Sequence, residues 1–135
     1  MAYWLLKTEP ESWSWDMQVK AGKAGTEWTG VRNFTAQRNM REMKKGELGF
    51  FYHTGDEKRI VGVVTVMREA HPETGDEDWQ SVDIAAVKAV PKPVTLAAVK
   101  ADKKLAGMAL VKYSRLSVQP VTDAEWALVS KMAGL

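Results

Sequence analysis

The spacing of apolar residues along the chain predicts five β-strands. They fall in residues 3–8, 47–53, 60–67, 79–90 and 114–121. The segment "ELGFFYH" alternates with a period of two, which places successive side chains on opposite faces of a sheet. The nearly all-apolar "IVGVVTVM" follows the turn "TGDEKR", so these two strands are expected to form a hairpin with a buried second arm. Because proline cannot donate to a strand ladder, we expect "PKP" at 91–93 to end the fourth strand.

Residues with capping chemistry mark the starts of four short helices. Ser14, Asn33 and Thr95 each precede a helical segment, and Thr122 with Glu125 forms a Thr-x-x-Glu capping box. Helical spacing predicts the buried positions, which are Trp15 and Val19 in the first helix, Ala36, Met40 and Met43 in the second, and Trp126, Val129 and Ala133 in the last. The polar residues of the second helix are expected to point away from the core, namely Gln37, Arg38 and Arg41.

The order of these elements indicates an α+β fold. Residues 20–28 and 71–78 are rich in Gly or in charged residues and are expected to be loops. Strands and helices do not alternate regularly, which argues against a doubly wound parallel sheet. We predict a curved mixed sheet or barrel of about five to six strands with short covering helices. A chain of 135 residues fits a single domain, residues 1–135.

Composition narrows the classes of function. The chain contains no cysteine, so it can form no disulfide and use no thiol nucleophile. The apolar runs at 60–67 and 82–90 are too short to span a bilayer. The N-terminal "MAYWLLKTEP" lacks the basic lead and long apolar stretch of a secretory signal. We therefore expect a cytoplasmic protein without membrane contact, and we expect it to be monomeric.

The net charge of +2 is unevenly distributed. Residues 1–46 carry a net +3, residues 47–84 a net −6 and residues 85–135 a net +5. If the two basic ends converge in space, they form a modest positive patch that suits a few phosphates. Charge alone is equally consistent with ordinary solvated faces.

Sequence motifs for catalysis, metal binding and cofactor binding are absent. The chain has no Gly-x-Ser-x-Gly elbow, no Gly-x-x-x-x-Gly-Lys loop and no Gly-x-Gly-x-x-Gly turn. Its only histidines, His53 and His71, lack spaced partners for zinc. We expect no catalytic residue, no metal and no cofactor. Distant residues can still assemble an acid–base set, for which Lys7, Glu9 and His53 are the candidates.

Two tryptophans occupy polar surroundings. Trp28 and Trp79 each lie at a predicted loop edge, next to glutamate and threonine or to aspartate and glutamine. A loop tryptophan can fold inward as a plug, or its indole face can stack on a planar ligand such as a base. Free N–H groups beside the Asn33 cap, with Arg32, form a candidate anion site. The pairs His53–Thr54 and Ser114–Arg115, at strand ends, either bind a ligand or pin the chain.

Five segments in order resemble the EVE domain family. They are "YWLLKTEP", "TEWTGVRNFTAQRNMREMKKGE", "GFFYHTG", "VGVV" and "MALVKYSRLSVQPVT". The match runs from Tyr3 to the C-terminal helix. Phe34 stands where tyrosine is frequent in the family, and Thr54 stands where serine is frequent. Both substitutions keep similar shape or hydroxyl chemistry.

The resemblance implies a PUA-like fold related to YTH and ASCH domains, and a pocket for a modified base. YTH domains read methylated adenine in RNA through an aromatic cage, and EVE domains are similarly thought to recognise modified bases in DNA or RNA. By this similarity Trp28 is a cage tryptophan and Trp79 a second wall. The remaining pocket residues would be Lys7, Thr8, Arg32, Asn33, His53, Thr54, Ser114 and Arg115.

We therefore predict a non-catalytic domain that binds a modified base in DNA or RNA. The cations expected to contact flanking phosphates are Lys7, Arg32, Arg38 and Arg115. Two alternatives remain open, an enzyme acting on a nucleoside or nucleic acid and a protein-interaction domain.

Overall fold

The computed structural model describes residues 1–135 and contains six strands and five α-helices. The strands are β1 Tyr3–Thr8, β2 Thr26–Trp28, β3 Leu48–His53, β4 Arg59–Glu73, β5 Asp76–Thr95 and β6 Val118–Val121. The helices are α1 Trp15–Lys20, α2 Phe34–Glu42, α3 Leu96–Ala101, α4 Ala109–Lys112 and α5 Asp123–Met132. None of the helices combines the length and the apolar character needed to cross a bilayer.

All six strands join one mixed sheet in the order β2-β5-β4-β3-β1-β6. β1 and β3 run parallel, and every other neighbouring pair is antiparallel. The β4–β5 hairpin is long and interrupted by several register shifts, which bend and twist a sheet locally. The predicted α+β class, the mixed curved sheet and the short covering helices are confirmed.

Each face of the sheet carries its own hydrophobic core. Phe51, on one face of β3, packs with Trp15 of α1 and with Ala36 and Met40 of α2. The opposite face of β3 packs against α3, α4 and α5 through Val99, Leu110 and Val129. A strand with both faces covered must be apolar on both, which explains the uninterrupted "GFFY" of β3.

The predicted caps and most of the predicted core positions agree with the structure. The side chains of Ser14, Asn33 and Thr95 each accept a backbone N–H of their helix, and Thr122 and Glu125 form the reciprocal capping box. The predicted core residues of α2 and the end of α5 are fully buried, namely Ala36, Met40, Met43, Val129 and Ala133. Trp126 is half-buried, stacked on Tyr3 and Phe50.

Two predicted loops are wrong because they lie in strands. Residues 26–28, expected to be loop, form β2, which pairs with residues 82–84 of β5. Gly25 permits this pairing, since a Cβ there would lie 2.3 Å from the carbonyl oxygen of Ile84. Residues 71–78, expected to be an acidic loop, belong to the β4–β5 hairpin except for a turn at Thr74–Gly75. Cross-strand pairing overrode the polar composition in both segments.

The ends of two strands also differ from the sequence prediction. β5 continues through Pro91–Pro93 instead of ending there, because the pairing skips these residues between Gly62↔Ala89 and Ile60↔Val94. A proline outside the ladder costs no hydrogen bond. The last strand is shorter than predicted, since residues 113–116 form a turn and β6 begins at Val118.

Two side-chain orientations were also wrong. Val19 was expected on the buried face of α1, but it is half exposed and Gln18 is buried instead. Gln37 was expected to face away from the core, but it is buried at the contact between α2 and β5. In both cases the buried glutamine donates its side-chain amide to backbone carbonyls, which satisfies its polar groups away from water.

Candidate functional site

A cavity of about 540 Å³ opens beside the N-terminus of α2. It is lined by the end of β1 (Lys7 and Thr8), the following loop (Ser12 and Trp13), residues 26–33 and Ser117. Ser117 and β1 are joined directly, because the Lys7 N–H donates to the Ser117 carbonyl at 2.8 Å. The walls therefore come from β2 at one edge of the sheet, from β1 and the residue before β6 near the other edge, and from the segment that leads into α2.

Two tryptophans form the aromatic part of the cavity. Trp28 is only 7% exposed and packs edge-to-face on Phe51, with ring centroids 5.7 Å apart. Trp13 is half-buried, and its indole Nε1 donates to Oε1 of Gln18 at 2.8 Å. Gln18 in turn donates to the Ile84 carbonyl, so the Trp13 ring is held in place from the buried side. The cavity thus combines a core tryptophan with a more exposed one.

Glu73 fixes the segment that forms the rim of the cavity. Its carboxylate accepts from the Gly30 N–H at 2.9 Å and from both terminal nitrogens of Arg32, the shorter contact being 2.7 Å. The Arg32 hydrogen bond outweighs burial and holds the pKa of Glu73 below its usual range. Gly30 has φ +81°, which glycine adopts without strain. Arg32 is therefore paired with a carboxylate and is not a free cation.

Gln37 connects the same rim to the sheet. Its Nε2 donates to the carbonyls of Val31 and Gln80, and its Oε1 accepts the Gln80 N–H. A buried side-chain amide that satisfies three backbone groups gives the Val31 region one defined position. The rim is thereby preorganised before any ligand arrives.

Asn33 places polar groups at the mouth of the cavity. Its Oδ1 accepts the Ala36 N–H at 3.0 Å as the N-cap of α2, which leaves the exposed Nδ2 free to donate. The backbone N–H groups of Thr29, Val31 and Arg32 also donate to no group of the protein. Such unpaired donors beside a helix N-terminus suit an anion or the acceptor edge of a base.

Lys7 lies at the boundary of the cavity. Burial lowers the pKa of its ammonium group. Its Nζ donates to the Ser114 carbonyl at 3.0 Å and lies 5.7 Å from the centre of the Tyr52 ring. Lys7 therefore connects the cavity with the turn at residues 113–116.

The structure brings together half of the ten residues predicted for the pocket. Those that line the cavity are Lys7, Thr8, Trp28, Arg32 and Asn33. The other five lie outside it, and they are His53, Thr54, Trp79, Ser114 and Arg115. Trp28 is not in a polar turn, as the sequence suggested, but in a strand.

His53 and Thr54 lie next to the cavity wall without lining it. His53 is 7% exposed, and its Nε2 accepts the backbone N–H of Trp15 at 3.0 Å. Because Nε2 accepts this hydrogen bond, it carries no proton, and the proton of the imidazole ring is on Nδ1. Nδ1 lies 2.9 Å from Oε1 of Glu57. Thr54 donates both its N–H and its hydroxyl to the Thr8 carbonyl. Both residues support the ends of β1 and α1.

Trp79, Ser114 and Arg115 lie in neighbouring surface grooves. Trp79 stacks on the exposed Phe34, and the Arg32 guanidinium lies 5.0 Å from its ring centre. Ser114 and Arg115 line a separate groove on the other side of the α2 start. Asn33 lines both this groove and the cavity. Arg38 is exposed on α2 and forms no salt bridge.

Sequence reasoning did not select several residues of the site. Trp13, Ser12, Thr29 and Ser117 line the cavity from segments without regular structure, where no periodicity marks a facing side chain. Glu73 lies 41 residues after Arg32, so only the fold pairs them. Trp13 is the one residue of this group that the sequence could have indicated. It is a large aromatic residue in the polar segment "ESWSW", and it lies before the Ser14 cap, outside the apolar face of α1.

The chain and its fold are similar to those of several known proteins. The structure resembles that of Atu2648 from Agrobacterium tumefaciens, with a TM-score of 0.97 and 51% identity over 100% of this chain and 94% of that chain. Human thymocyte nuclear protein 1 is 33% identical over 162 residues, covering 95% of this chain and 72% of that protein.

Two solved complexes are also similar. Human THYN1 in complex with 5-methylcytosine-containing DNA has a TM-score of 0.92 and 29% identity, over 100% of this chain and 99% of that chain. A YTH domain of Zygosaccharomyces rouxii shares the fold at 13% identity, with a TM-score of 0.58 over 98% of this chain and 86% of that chain. The EVE domain pattern itself matches residues 2–132. With nearly the whole chain matched, this protein belongs to the EVE domain family.

Proposed function

We propose that this protein binds a modified nucleobase of DNA or RNA in the cavity beside α2, without catalysing a reaction. The observation that carries the proposal is the cavity itself. Its volume of about 540 Å³ falls within the range of roughly 300–1,000 Å³ that is usual for small-molecule sites. It combines indole rings with unpaired hydrogen-bond donors, the two features that hold a base extruded from its stack.

Each part of the cavity suits one part of a nucleotide. Trp13 is more exposed than Trp28 and offers the larger aromatic contact, while Trp28 closes the inner end. The free Nδ2 of Asn33 and the N–H of Thr29 can donate to ring nitrogens or carbonyls of the base. Lys7 lines the cavity on the side of the 113–116 turn, where its ammonium group can approach the phosphate that joins the bound nucleotide to the next one.

The mark to test first is 5-methylcytosine. The solved complex of human THYN1 contains DNA with this base, and that protein is 29% identical to this chain over its full length. Burying one methyl group is worth about 0.8 kcal/mol, which corresponds to roughly a fourfold gain in affinity. A larger preference would require a polar group that also reads the modification.

The arrangement around His53 supports binding over catalysis. A general base needs a ring nitrogen free to take a proton from the substrate. In His53 one nitrogen accepts the Trp15 N–H and the other faces Glu57, and the residue lies outside the cavity. Of the acid–base set considered from sequence, only Lys7 lines the cavity.

Titration with nucleosides tests the proposal. We expect 5-methyl-2′-deoxycytidine to bind about fourfold more tightly than 2′-deoxycytidine and to shift the indole N–H resonances of Trp13 and Trp28. Trp126, stacked between Tyr3 and Phe50 on the opposite face, serves as an internal control and should not shift. Mass spectrometry should recover the nucleoside unchanged. Shifts confined to Trp126 or a chemically altered product would contradict the proposal, and equal affinity for both nucleosides would exclude 5-methylcytosine as the recognised mark.

A further inference from the structure

We propose a second nucleotide-binding subsite in the groove between the start of α2 and the turn after α4. It would receive the nucleotide adjoining the modified one, so the inference rests on the function proposed above. The groove has a volume of about 550 Å³. Asn33 and Thr35 form one wall, and residues 112–116 form the other.

The groove continues directly from the base cavity. Asn33 lines both, and Lys7 of the cavity donates to the Ser114 carbonyl in the groove at 3.0 Å. A nucleic-acid strand whose base enters the cavity can therefore pass its next nucleotide into the groove.

Both walls are fixed to the same strand. Asn39 of α2 donates its Nδ2 to the Val118 carbonyl of β6 at 2.7 Å. The buried Gln119 of β6 donates to the carbonyls of Tyr113 and Leu116, at 3.1 and 2.9 Å, and so holds the turn. The width of the groove is thus set by the fold, which reduces the entropy lost on binding.

The exposed groups in the groove match the chemistry of a nucleotide. Tyr113 is 58% exposed and contacts no other aromatic ring of the protein. Lys112 and Arg115 are exposed, form no salt bridge, and share the groove with no carboxylate. A free aromatic face beside two unpaired cations suits a base and its phosphate.

The groove around Trp79 is less suited to this role. It contains Asp78 and Arg41, and the stacked ring of Trp79 is already covered by Phe34 and Arg32. Arg32 itself is neutralised by Glu73. A nucleotide entering there would meet the Asp78 carboxylate, whereas the Tyr113 groove holds no carboxylate, so the strand is expected to follow the Tyr113 side.

Probes of two lengths test the subsite in the full chain. The nucleoside 5-methyl-2′-deoxycytidine can fill only the cavity, whereas a single-stranded trinucleotide with 5-methylcytosine in the middle also reaches the groove. We expect Tyr113→Ala to weaken trinucleotide binding about tenfold or more while leaving nucleoside binding unchanged. Tyr113→Phe keeps the ring and should retain the affinity.

The two cations are tested by salt dependence. Each phosphate contact to a single strand contributes about −0.7 to the slope of log affinity against log salt. The groove receives one nucleotide and therefore one phosphate, so the double variant Lys112→Ala with Arg115→Ala should make the trinucleotide slope about 0.7 less steep. Arg41→Ala removes a charge from the other side of α2 and, as the matched control, should change neither affinity nor slope.

The possible results distinguish a failure of the proposed subsite from a failure of the proposed base-binding function. Normal nucleoside binding with a trinucleotide affinity that does not depend on Tyr113 would overturn the subsite and leave the proposed function standing. Absence of nucleoside-induced shifts at Trp13 and Trp28 would overturn the proposed function and, with it, the role of the groove as a neighbouring subsite. Weakening by Arg41→Ala equal to that of the double variant would show a non-specific charge effect and would also overturn the subsite.

Discussion

Trp28 belongs to the hydrophobic core and to the cavity wall at the same time. Its 7% exposure and its edge-to-face contact with Phe51 make it part of the packing of the sheet. It also closes the inner end of the cavity. At the scale of single residues, its effect on stability and its effect on binding must therefore be measured separately.

We expect Trp28→Ala to destabilise the protein strongly. Truncating a buried tryptophan costs about 3–5 kcal/mol, which lowers the melting temperature of a domain of this size by about 10 °C or more. Thermal unfolding followed by circular dichroism measures this. Trp79→Ala, the same change at a tryptophan outside both cores, is the control and should melt within a few degrees of wild type. A Trp28→Ala protein with wild-type melting would contradict the packing described here.

At the scale of elements, α2 positions the site through its first turn. Asn33 caps the helix, lines the cavity and lines the neighbouring groove. Gln37, one turn later, joins the helix to the rim and to β5. A capping residue was predictable from sequence, but its place between two binding surfaces depends on how α2 packs against the sheet.

Asn33→Asp should separate capping from binding. Aspartate caps a helix as well as asparagine does and is favoured by the helix dipole, so stability should change little. It replaces the free amide donor by a negative charge at the mouth of the cavity, so affinity for the trinucleotide should fall at least tenfold. Asn33→Ala, which loses the cap, should instead cost about 1 kcal/mol of stability. Thermal melts and binding titrations of both variants measure the two effects, and unchanged binding by Asn33→Asp would remove Asn33 from the site.

At the scale of the whole molecule, several glutamates are held ionised by the fold. The largest contributions that lower the pKa are the hydrogen bonds of Glu73 with Arg32, Glu57 with His53 and Glu27 with Ser81. For Glu47, burial alone would raise the pKa, but hydrogen bonds from Trp4, Lys44 and Ala2 outweigh it and the net shift is downward. Glu73, Glu27 and Glu47 accept hydrogen bonds from residues more than 40 positions away in the chain, so their protonation affects overall stability.

We expect the unfolding free energy to fall as the pH is lowered through the acid range. A carboxyl group whose pKa is lower in the folded state contributes stability above its unfolded pKa of about 4.3. That contribution is lost as the pH falls through the folded-state value. Glu47→Gln should destabilise the protein at pH 7 by about 1.5–3 kcal/mol, and the difference from wild type should shrink toward pH 2.

Urea unfolding at a series of pH values measures this acid dependence. Glu11→Gln is the matched control, because Glu11 is exposed and accepts no hydrogen bond from another residue. Its unfolding free energy should follow that of wild type at every pH. A Glu47→Gln difference that stays constant between pH 7 and pH 2 would mean that the lost stability comes from packing and not from the charge.

Features that depend on neighbouring residues along the chain are predictable from the amino-acid sequence. Helix caps at Ser14, Asn33, Thr95 and Thr122, the alternation of β3 and the buried face of α2 all follow from local spacing. The resemblance to the family gave the fold class and five residues that do line the cavity. None of these features requires knowledge of which strands pair.

The positions at which polar and aromatic residues meet depend on long-range contacts within the fold. β2 and residues 71–78 at the tip of the β4–β5 hairpin escaped prediction because cross-strand hydrogen bonds, not composition, keep those polar segments extended. Arg32 is paired with Glu73, which lies 41 residues later in the chain, so no local spacing could have indicated this ion pair. Trp13 and Ser117 line one cavity although more than 100 residues separate them, because β1 and the segment before β6 are hydrogen-bonded neighbours. Such long-range contacts cannot be recognised from the spacing of residues along the chain.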